Sequence, residues 1–224
     1  MNINRSRSVT PRTYRLCRQK LEVVTSHPYL GVHFQSDMEW DMQVSHVTSK
    51  ASRVLGLMRR NLYNCSEKIK ETAYTALVRP HVEYASVIWD PYTKTHTNKL
   101  EKIQRNAARF VKNNHERTPG TVTKLLSDLD WQTLQHRRQV ARLTLLYKII
   151  NNLVDIPSDR YLTPATRQGL RHRNNCSLQI PFGRLNIHKN SYFNRTIKEW
   201  NTLPDSITSS PSTETFKTHC TNYI

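Results

Sequence analysis

Residues 97–112 have the sequence TNKLEKIQRNAARFVK, and this segment carries the strongest structural signal in the chain. At 100° per residue, its apolar side chains fall on one arc of about 100° and its basic side chains on an opposite arc of about 80°. The apolar set is Leu100, Ile103, Ala107, Phe110 and Val111, and the basic set is Lys102, Arg105, Arg109 and Lys112. This pattern predicts a helix, capped by Thr95 or Thr97, with one packing face and one cationic face.

Helical patterns also precede this segment. We expect one helix over residues 38–63, which ends in basic residues, and a second that begins at a Ser66 N-cap and runs toward Trp89. Pro80 should kink or divide the second helix, because proline has no N–H to donate within a helix.

Two more helices are expected downstream, a short one near 121–127 and a longer one over 132–151. The longer helix carries apolar residues on most of its sides, which indicates burial on more than one face. The whole region 37–154 is therefore predicted to be one helical domain.

The N-terminal region has a different pattern. Residues 1–12 are basic and polar, and we expect them to be a disordered start. Within 13–36 the apolar residues alternate, most clearly at Leu30, Val32 and Phe34, which is typical of half-buried strands. Short N-terminal β-strands should thus come before the helices.

The C-terminal region is expected to begin with a basic linker over 155–176, a stretch rich in Arg, Pro, Asn and Thr. A small α/β or helical tail over 177–224 should follow. We predict in it a short strand at 178–180, a helix over 190–200 and a last helix that starts at Ser210-Pro211. The predicted fold class is mainly α.

Charge is the strongest signal in the composition. The 34 Lys and Arg residues exceed the 17 Asp and Glu residues, for a net charge of +17. Such a surplus indicates a polyanionic partner, and nucleic acid is the usual one. An anionic membrane surface, or the solubility of a ribosome-like protein, would produce the same charge.

The cysteines Cys17, Cys65, Cys176 and Cys220 lie far apart, so neither a zinc ribbon nor a disulfide scaffold is predicted. His172 and Cys176, like the adjacent His219 and Cys220, lack the paired spacing of a zinc site, and we expect no metal. The N-terminus has no apolar signal segment, and no run approaches the ~20 apolar residues of a membrane span. We expect an intracellular protein, in the nucleus or the cytoplasm, without a membrane partner.

No catalytic constellation is evident. Asp128, Asp130 and Asp205 lack the clustered acids of a metal-dependent nuclease and fit turns and helix ends better. Trp131 and Trp200 are predicted to be core anchors rather than base-stacking platforms. No small-molecule ligand is expected.

A series of short motifs occurs in a distinctive order over roughly residues 13–218. The motifs are LEVVTS (21–26), YLGV (29–32), SKA (49–51), MRRNL (58–62), ALVRPHVEYA (76–85), WDP (89–91), LEKIQRNAARF (100–110), LDWQTL (129–134), LYKII (146–150) and SYFNRTIKEWNTLP (191–204). Together they resemble the region that follows the catalytic palm in reverse transcriptases of jockey-like non-LTR (LINE-type) retrotransposons.

The resemblance implies roles for several segments. Residues 13–36 would be vestigial palm-end strands, with Tyr29, Leu30 and Gly31 as a vestige of the primer grip, and residues 37–154 would be a thumb-like domain. The proposed contacts to a duplex backbone are Lys102, Arg105, Arg109 and Lys112, extended to Arg59, Arg60, Arg137, Arg138 and Arg142. One departure is Cys17-Arg18, where relatives usually turn through a pair that contains glycine.

A second departure concerns catalysis. These polymerases hold two magnesium ions with an Asp and an Asp-Asp pair, and this sequence has no Asp-Asp dipeptide. We therefore expect a truncated, noncatalytic fragment that starts internally at Met1, has no catalytic residue, and needs no cofactor, since magnesium belongs to the intact polymerase. Its function would be residual, sequence-independent binding of RNA or DNA. The alternative is a basic protein–protein adaptor derived from a transposable element.

Overall fold

The computed structural model describes residues 13–165 and 175–224. These residues are mainly helical, with two short antiparallel strand pairs near the N-terminus, which confirms the predicted fold class. The expected disordered start over 1–12 and part of the expected linker, 166–174, lie outside the described residues.

Two hairpins form the N-terminal part. They contain the strands β1 (Arg15–Leu16), β2 (Gln19–Lys20), β3 (Ser26–Tyr29) and β4 (Val32–Gln35). Each turn has two central residues with positive φ, which is the pattern of a type I′ turn: 48° and 68° at Cys17 and Arg18, and 47° and 78° at Leu30 and Gly31. Cys17-Arg18 therefore forms a tight turn although it has no glycine.

A π-helical segment separates two of the first α-helices. The elements are α1 (Asp41–Asn61), α2 (Glu67–Ala73), a π-helical segment (Tyr74–Val78) and α3 (Arg79–Glu83). The π-helical segment ends two residues before Pro80, so the helix is divided near the proline as predicted. It ends at Glu83 rather than near Trp89, because Tyr84 leaves the helical conformation with ψ at 126°.

Three further helices complete the central region: α4 (Lys94–Val111), α5 (Thr121–Asp128) and α6 (Leu134–Ile150). The N-cap of α4 is Thr93, whose hydroxyl accepts from the backbone N–H of His96 at 3.4 Å, so neither Thr95 nor Thr97 is the cap. Thr133 caps α6 in the same way, through the N–H of His136 at 3.1 Å.

The C-terminal part consists of short helices: α7 (Ser158–Tyr161), α8 (Asn186–Lys189), α9 (Tyr192–Trp200), α10 (Asp205–Thr208) and α11 (Thr213–Tyr223). The strand expected at 178–180 is reduced to one bridge between Pro164 and Leu178. The last helix is capped by Ser212 rather than Ser210, since the Ser212 hydroxyl accepts from the N–H of Thr215 at 3.2 Å.

Buried side chains form two apolar clusters. One extends from Val32 to Leu134 and the other from Val140 to Cys220, so the single helix α6 contributes to both. This explains why apolar residues occur on most sides of α6. Leu162 lies within the expected linker of 155–176 and is buried in the second cluster, so this part of the linker is packed rather than loose.

The two tryptophans expected in the core are buried. Trp131 is 8% exposed and stacks on Tyr74, with 4.3 Å between the ring centroids. Trp200 is 1% exposed and stacks on Phe216. Across the part of the chain that the structure describes, no helix is both long enough and apolar enough to cross a bilayer.

Candidate nucleic-acid interface

Helix α4 has the two faces that its sequence predicts. The apolar residues Leu100, Ile103, Ala107, Phe110 and Val111 are at most 5% exposed and belong to the first cluster. On the other side, Lys102 is exposed, and Arg105, Arg109 and Lys112 are half-buried. The packing face is therefore confirmed, whereas the basic face is only partly open to solvent.

A groove of about 720 Å³ runs beside the basic face of α4. We call it the cationic groove. Its lining consists of Arg59, Tyr63, Lys102, Arg105, Asn106, Arg109, Phe110, Asn113, His115 and Arg117. No Asp or Glu from the described ranges is part of this lining, so the groove should carry a positive potential.

Neutral backbone carbonyls hold three of the guanidinium groups. Arg59 Nη2 donates to the carbonyl oxygen of Asn106 at 3.0 Å, which ties the end of α1 to α4. Arg105 Nη2 donates to Asn98 at 3.3 Å, and Arg109 Nε donates to Glu116 at 3.4 Å. Carbonyls orient these groups without neutralising their charge.

The groove cations are free of acidic partners. Within residues 13–165 and 175–224, no ion pair involves Arg59, Lys102, Arg105, Arg109 or Arg117. An anionic ligand could therefore engage them without displacing a carboxylate.

Two of the lining residues, His115 and Arg117, were missed in the sequence. They follow α4 in a loop that turns at Asn113, a residue with a φ of 48°. The sequence did contain a signal for this loop. Asn113 and Asn114 follow the helix, and asparagine readily adopts the left-handed conformation in which a chain turns at a helix end.

Lys112 does not line the cationic groove. Its ammonium forms an ion pair with Glu67 at the start of α2. The charge expected on the basic face is thus neutralised at this position. Arg60 is exposed, but it also lies outside the groove lining.

The expectation for Arg137, Arg138 and Arg142 is corrected by the structure, which places all three in internal pairs. Arg137 forms a bidentate pair with Glu83, in which Nη2 lies 3.1 Å from Oε2. Arg138 is 3% exposed, donates to the carbonyl of Val82 at 2.6 Å and lies over the ring of Trp89.

Arg142 is 2% exposed and belongs to a group of charges that we call the Asp90 network. Its members are Asp90, Arg138, Arg142, Arg195 and Glu199. Acidic residues distant in sequence meet these arginines only in the folded chain, which a helical periodicity within 132–151 could not reveal. Arg138 and Arg142 are buried within this network, so neither guanidinium group is exposed to a phosphate backbone.

Burial changes the acidity of these guanidinium groups. Removal from water lowers the pKa of Arg138 to about 10, although nearby Glu101 and Glu83 oppose the shift. Burial also lowers the pKa of Arg142, against the opposing effect of Glu199. Arg138 stays protonated at neutral pH, so it keeps the charge that its partners require.

The residues expected to be a primer-grip vestige lie at the β3–β4 turn. Tyr29 and Leu30 are 63% and 74% exposed. The Tyr84 hydroxyl donates to the Leu30 carbonyl at 2.9 Å, and a Cβ at position 31 would come within 3.3 Å of the Tyr84 ring. The positive φ in the turn and the close approach of Tyr84 explain why position 31 is a glycine. The primer-grip role stays a prediction.

Among the described residues, no group of three His, Cys, Asp or Glu side chains is arranged to hold a metal ion. His172 lies outside those residues.

In comparisons with known proteins, the chain matches no family model, no curated protein and no solved structure. The reverse transcriptase resemblance accordingly stays a prediction.

Proposed function

We propose that this chain binds nucleic acid through the phosphate backbone, with little preference for base sequence, and that the cationic groove is the binding site. One observation carries the proposal. The groove brings Arg59, Lys102, Arg105, Arg109 and Arg117 together from two helices and a loop, without a carboxylate partner for any of them among the described residues. A cluster of cations without carboxylate partners fits a polyanion.

The expected affinity follows from the kind of contact. Phosphate contacts gain most of their free energy by releasing condensed counterions, and they carry no direct sequence information. We therefore expect a dissociation constant on the order of 10⁻⁴ to 10⁻⁶ M near physiological salt, the range of non-specific binding.

The biological role that we propose is a noncatalytic part of an RNA-directed DNA polymerase of a non-LTR retrotransposon. The proposal rests on the family resemblance of the motifs over 13–218. In that setting α1 to α6 would correspond to the polymerase thumb and hold a duplex of template and primer. The acids that bind magnesium in such enzymes would have to come from another segment, since the sequence has no Asp-Asp dipeptide.

The salt dependence of binding tests the groove directly. We would compare wild type with the variant Arg59→Gln, Lys102→Gln, Arg105→Gln, Arg109→Gln on a DNA duplex, by fluorescence anisotropy over a range of salt. If these four side chains contact phosphates, the slope of log affinity against log salt should flatten by roughly 3 to 4, at about 0.9 per contact.

A control variant with the same loss of charge separates the groove from bulk charge. Lys124, Arg184, Lys189 and Lys198 are exposed and lie outside the groove, so their change to Gln removes four charges elsewhere. We expect a clearly smaller change of slope in this variant. Equal changes in both variants would contradict the groove as the site.

A protein partner is the second candidate, because apolar side chains are exposed in the N-terminal hairpins. These are Tyr14, Leu16, Leu21, Val23 and Leu30, each between 46% and 74% exposed. Exposed apolar surface favours contact with another protein. Absence of nucleic-acid binding by the wild type at low salt would favour this adaptor function.

A further inference from the structure

Tyr63 occupies an unusual place in the cationic groove. It follows the end of α1, lines the groove beside Arg59 and Arg109, and is 62% exposed. Sequence reasoning did not select it, because a single tyrosine after a helix has no distinctive pattern. In the structure it is an exposed aromatic ring inside a strongly cationic surface.

A buried lysine supports this ring. Lys70 of α2 is 5% exposed, and its ammonium lies 5.1 Å from the centroid of the Phe110 ring and 6.0 Å from that of Tyr63. Both distances are within the range of a cation–π contact. The contact places a positive charge next to the Tyr63 ring, while most of the tyrosine side chain remains exposed.

Lys70 also adds charge beneath the groove. Within the described part of the chain it forms no ion pair. Its positive charge is therefore offset by aromatic faces rather than by a carboxylate, and it adds to the potential that attracts an anion into the groove.

An aromatic ring beside unpaired cations is the arrangement by which proteins hold unpaired nucleotides. The cations follow the backbone while a base stacks on the ring. In a duplex the faces of the bases are already stacked inside the helix, so a fixed ring at the surface can reach only a base that is unpaired or at an end.

We infer that the cationic groove binds single-stranded nucleic acid, or the unpaired overhang of a duplex, with one base stacked on Tyr63. This inference rests on the proposed function and names its ligand. The groove volume of about 720 Å³ is within the usual range for pockets that enclose small ligands, so a nucleotide can enter it, while a duplex can only lie across it. Asn106 and Asn113 line the same groove and supply amides for base or sugar edges.

The test compares three variants on two probes. Tyr63→Ala removes the ring, Tyr63→Phe keeps it, and Tyr223→Ala removes a tyrosine that is 46% exposed outside the groove. The probes are a short single-stranded DNA and a long blunt duplex, in which interior base pairs far outnumber the two ends that a ring could reach. We expect Tyr63→Ala to weaken single-strand binding by about 5- to 150-fold, the range for loss of one stacked base, and to leave duplex binding nearly unchanged.

The two controls sharpen this result. Tyr63→Phe should retain single-strand affinity, because its ring can stack, and Tyr223→Ala should change neither affinity. Equal losses on both probes, or no loss on either, would overturn the stacking inference. The proposed backbone binding is judged separately, by the salt slopes of the four-residue variants.

A spectroscopic measurement tests stacking without any mutation. A single-stranded probe that contains 2-aminopurine loses fluorescence when that base stacks on an aromatic ring. Wild type and Tyr63→Phe should quench the probe at saturation, and Tyr63→Ala should not. Bound probe without quenching by wild type at any position of the label would overturn the inference.

Discussion

Buried Arg142 in α6 and half-buried Glu199 in α9 form an ion pair in which one guanidinium nitrogen, Nη2, lies 2.8 Å from Oε1 and 2.7 Å from Oε2. Arg142 also bonds Asp90, which follows Trp89 between α3 and α4. The Asp90 carboxylate lies 3.0 Å from Arg195 of α9 as well. One arginine thus ties the central helices to the C-terminal helices.

The first prediction concerns this pair. Arg142→Ala should lower the free energy of unfolding by about 1.5 to 3 kcal/mol, because two half-buried carboxylates lose the charged hydrogen bonds that this buried guanidinium donates. Urea unfolding near neutral pH measures the loss. Arg59→Ala is the matched control, since Arg59 is exposed and bonds only one carbonyl, and it should cost about 1 kcal/mol or less. A loss of that small size for Arg142→Ala would show that the network does not hold the helices together.

The second prediction concerns pH and His136. Burial lowers the pKa of this residue below its ordinary 6.5, and the charge of Arg137 acts in the same direction, while the Thr221 backbone opposes both. The folded state therefore favours neutral His136. Its contribution to stability is complete above about pH 6.5 and is lost as the pH falls below that value toward the lower, folded-state pKa.

His136→Gln should reduce this acid-side loss. We would measure the free energy of unfolding at about pH 7.5 and about pH 5 and compare the differences between wild type and variant. Substitution of the exposed His27 by Gln controls for the loss of a histidine as such. An unchanged difference in His136→Gln would show that another group is responsible for the pH dependence.

The third prediction concerns catalysis. Purified protein should not extend a primer with any template, nucleotide or divalent metal, because two-metal polymerisation requires an acid set that this sequence lacks in the usual Asp-Asp form. The control is a mock preparation from cells without the protein. Extension above that control would contradict the proposed noncatalytic function.

The fourth prediction concerns the order of local stability. The β1–β2 hairpin is exposed at all four strand residues, whereas β4 is anchored by buried Val32 and by a bond from the His33 N–H to Gln43 in α1 at 2.9 Å. Amide hydrogen exchange should be fastest in β1–β2, slower in β3–β4 and slowest at buried positions of α4 and α6. Protection in β1–β2 equal to that at Leu143 would reveal packing that this arrangement does not explain.

Much of the fold could be predicted because local patterns determine it. The two faces of α4 follow from the spacing of Leu100 to Val111, and the division near Pro80 follows from its missing N–H. Helix starts were less predictable. Thr93, Thr95 and Thr97 are equally good caps by residue type, and only the backbone geometry at Thr93 selects one.

The site was only partly predictable for a different reason. Arg109 and Arg142 have the same chemistry, and both lie on helices, yet one lines a groove and the other is buried against Glu199. That difference depends on which acid from a distant segment reaches each arginine. Periodicity within a helix contains no information on such partners, so Lys112 and Arg138 were also assigned to the wrong surroundings.

Helix α6 couples the stability of the two apolar clusters. Its first residue, Leu134, belongs to the first cluster, and its later turns belong to the second. Loss of either cluster removes part of the support for a helix that the other cluster needs. The two halves of the chain are therefore expected to melt cooperatively, in one transition, and to lack the autonomy that separate domains joined by a tether would have.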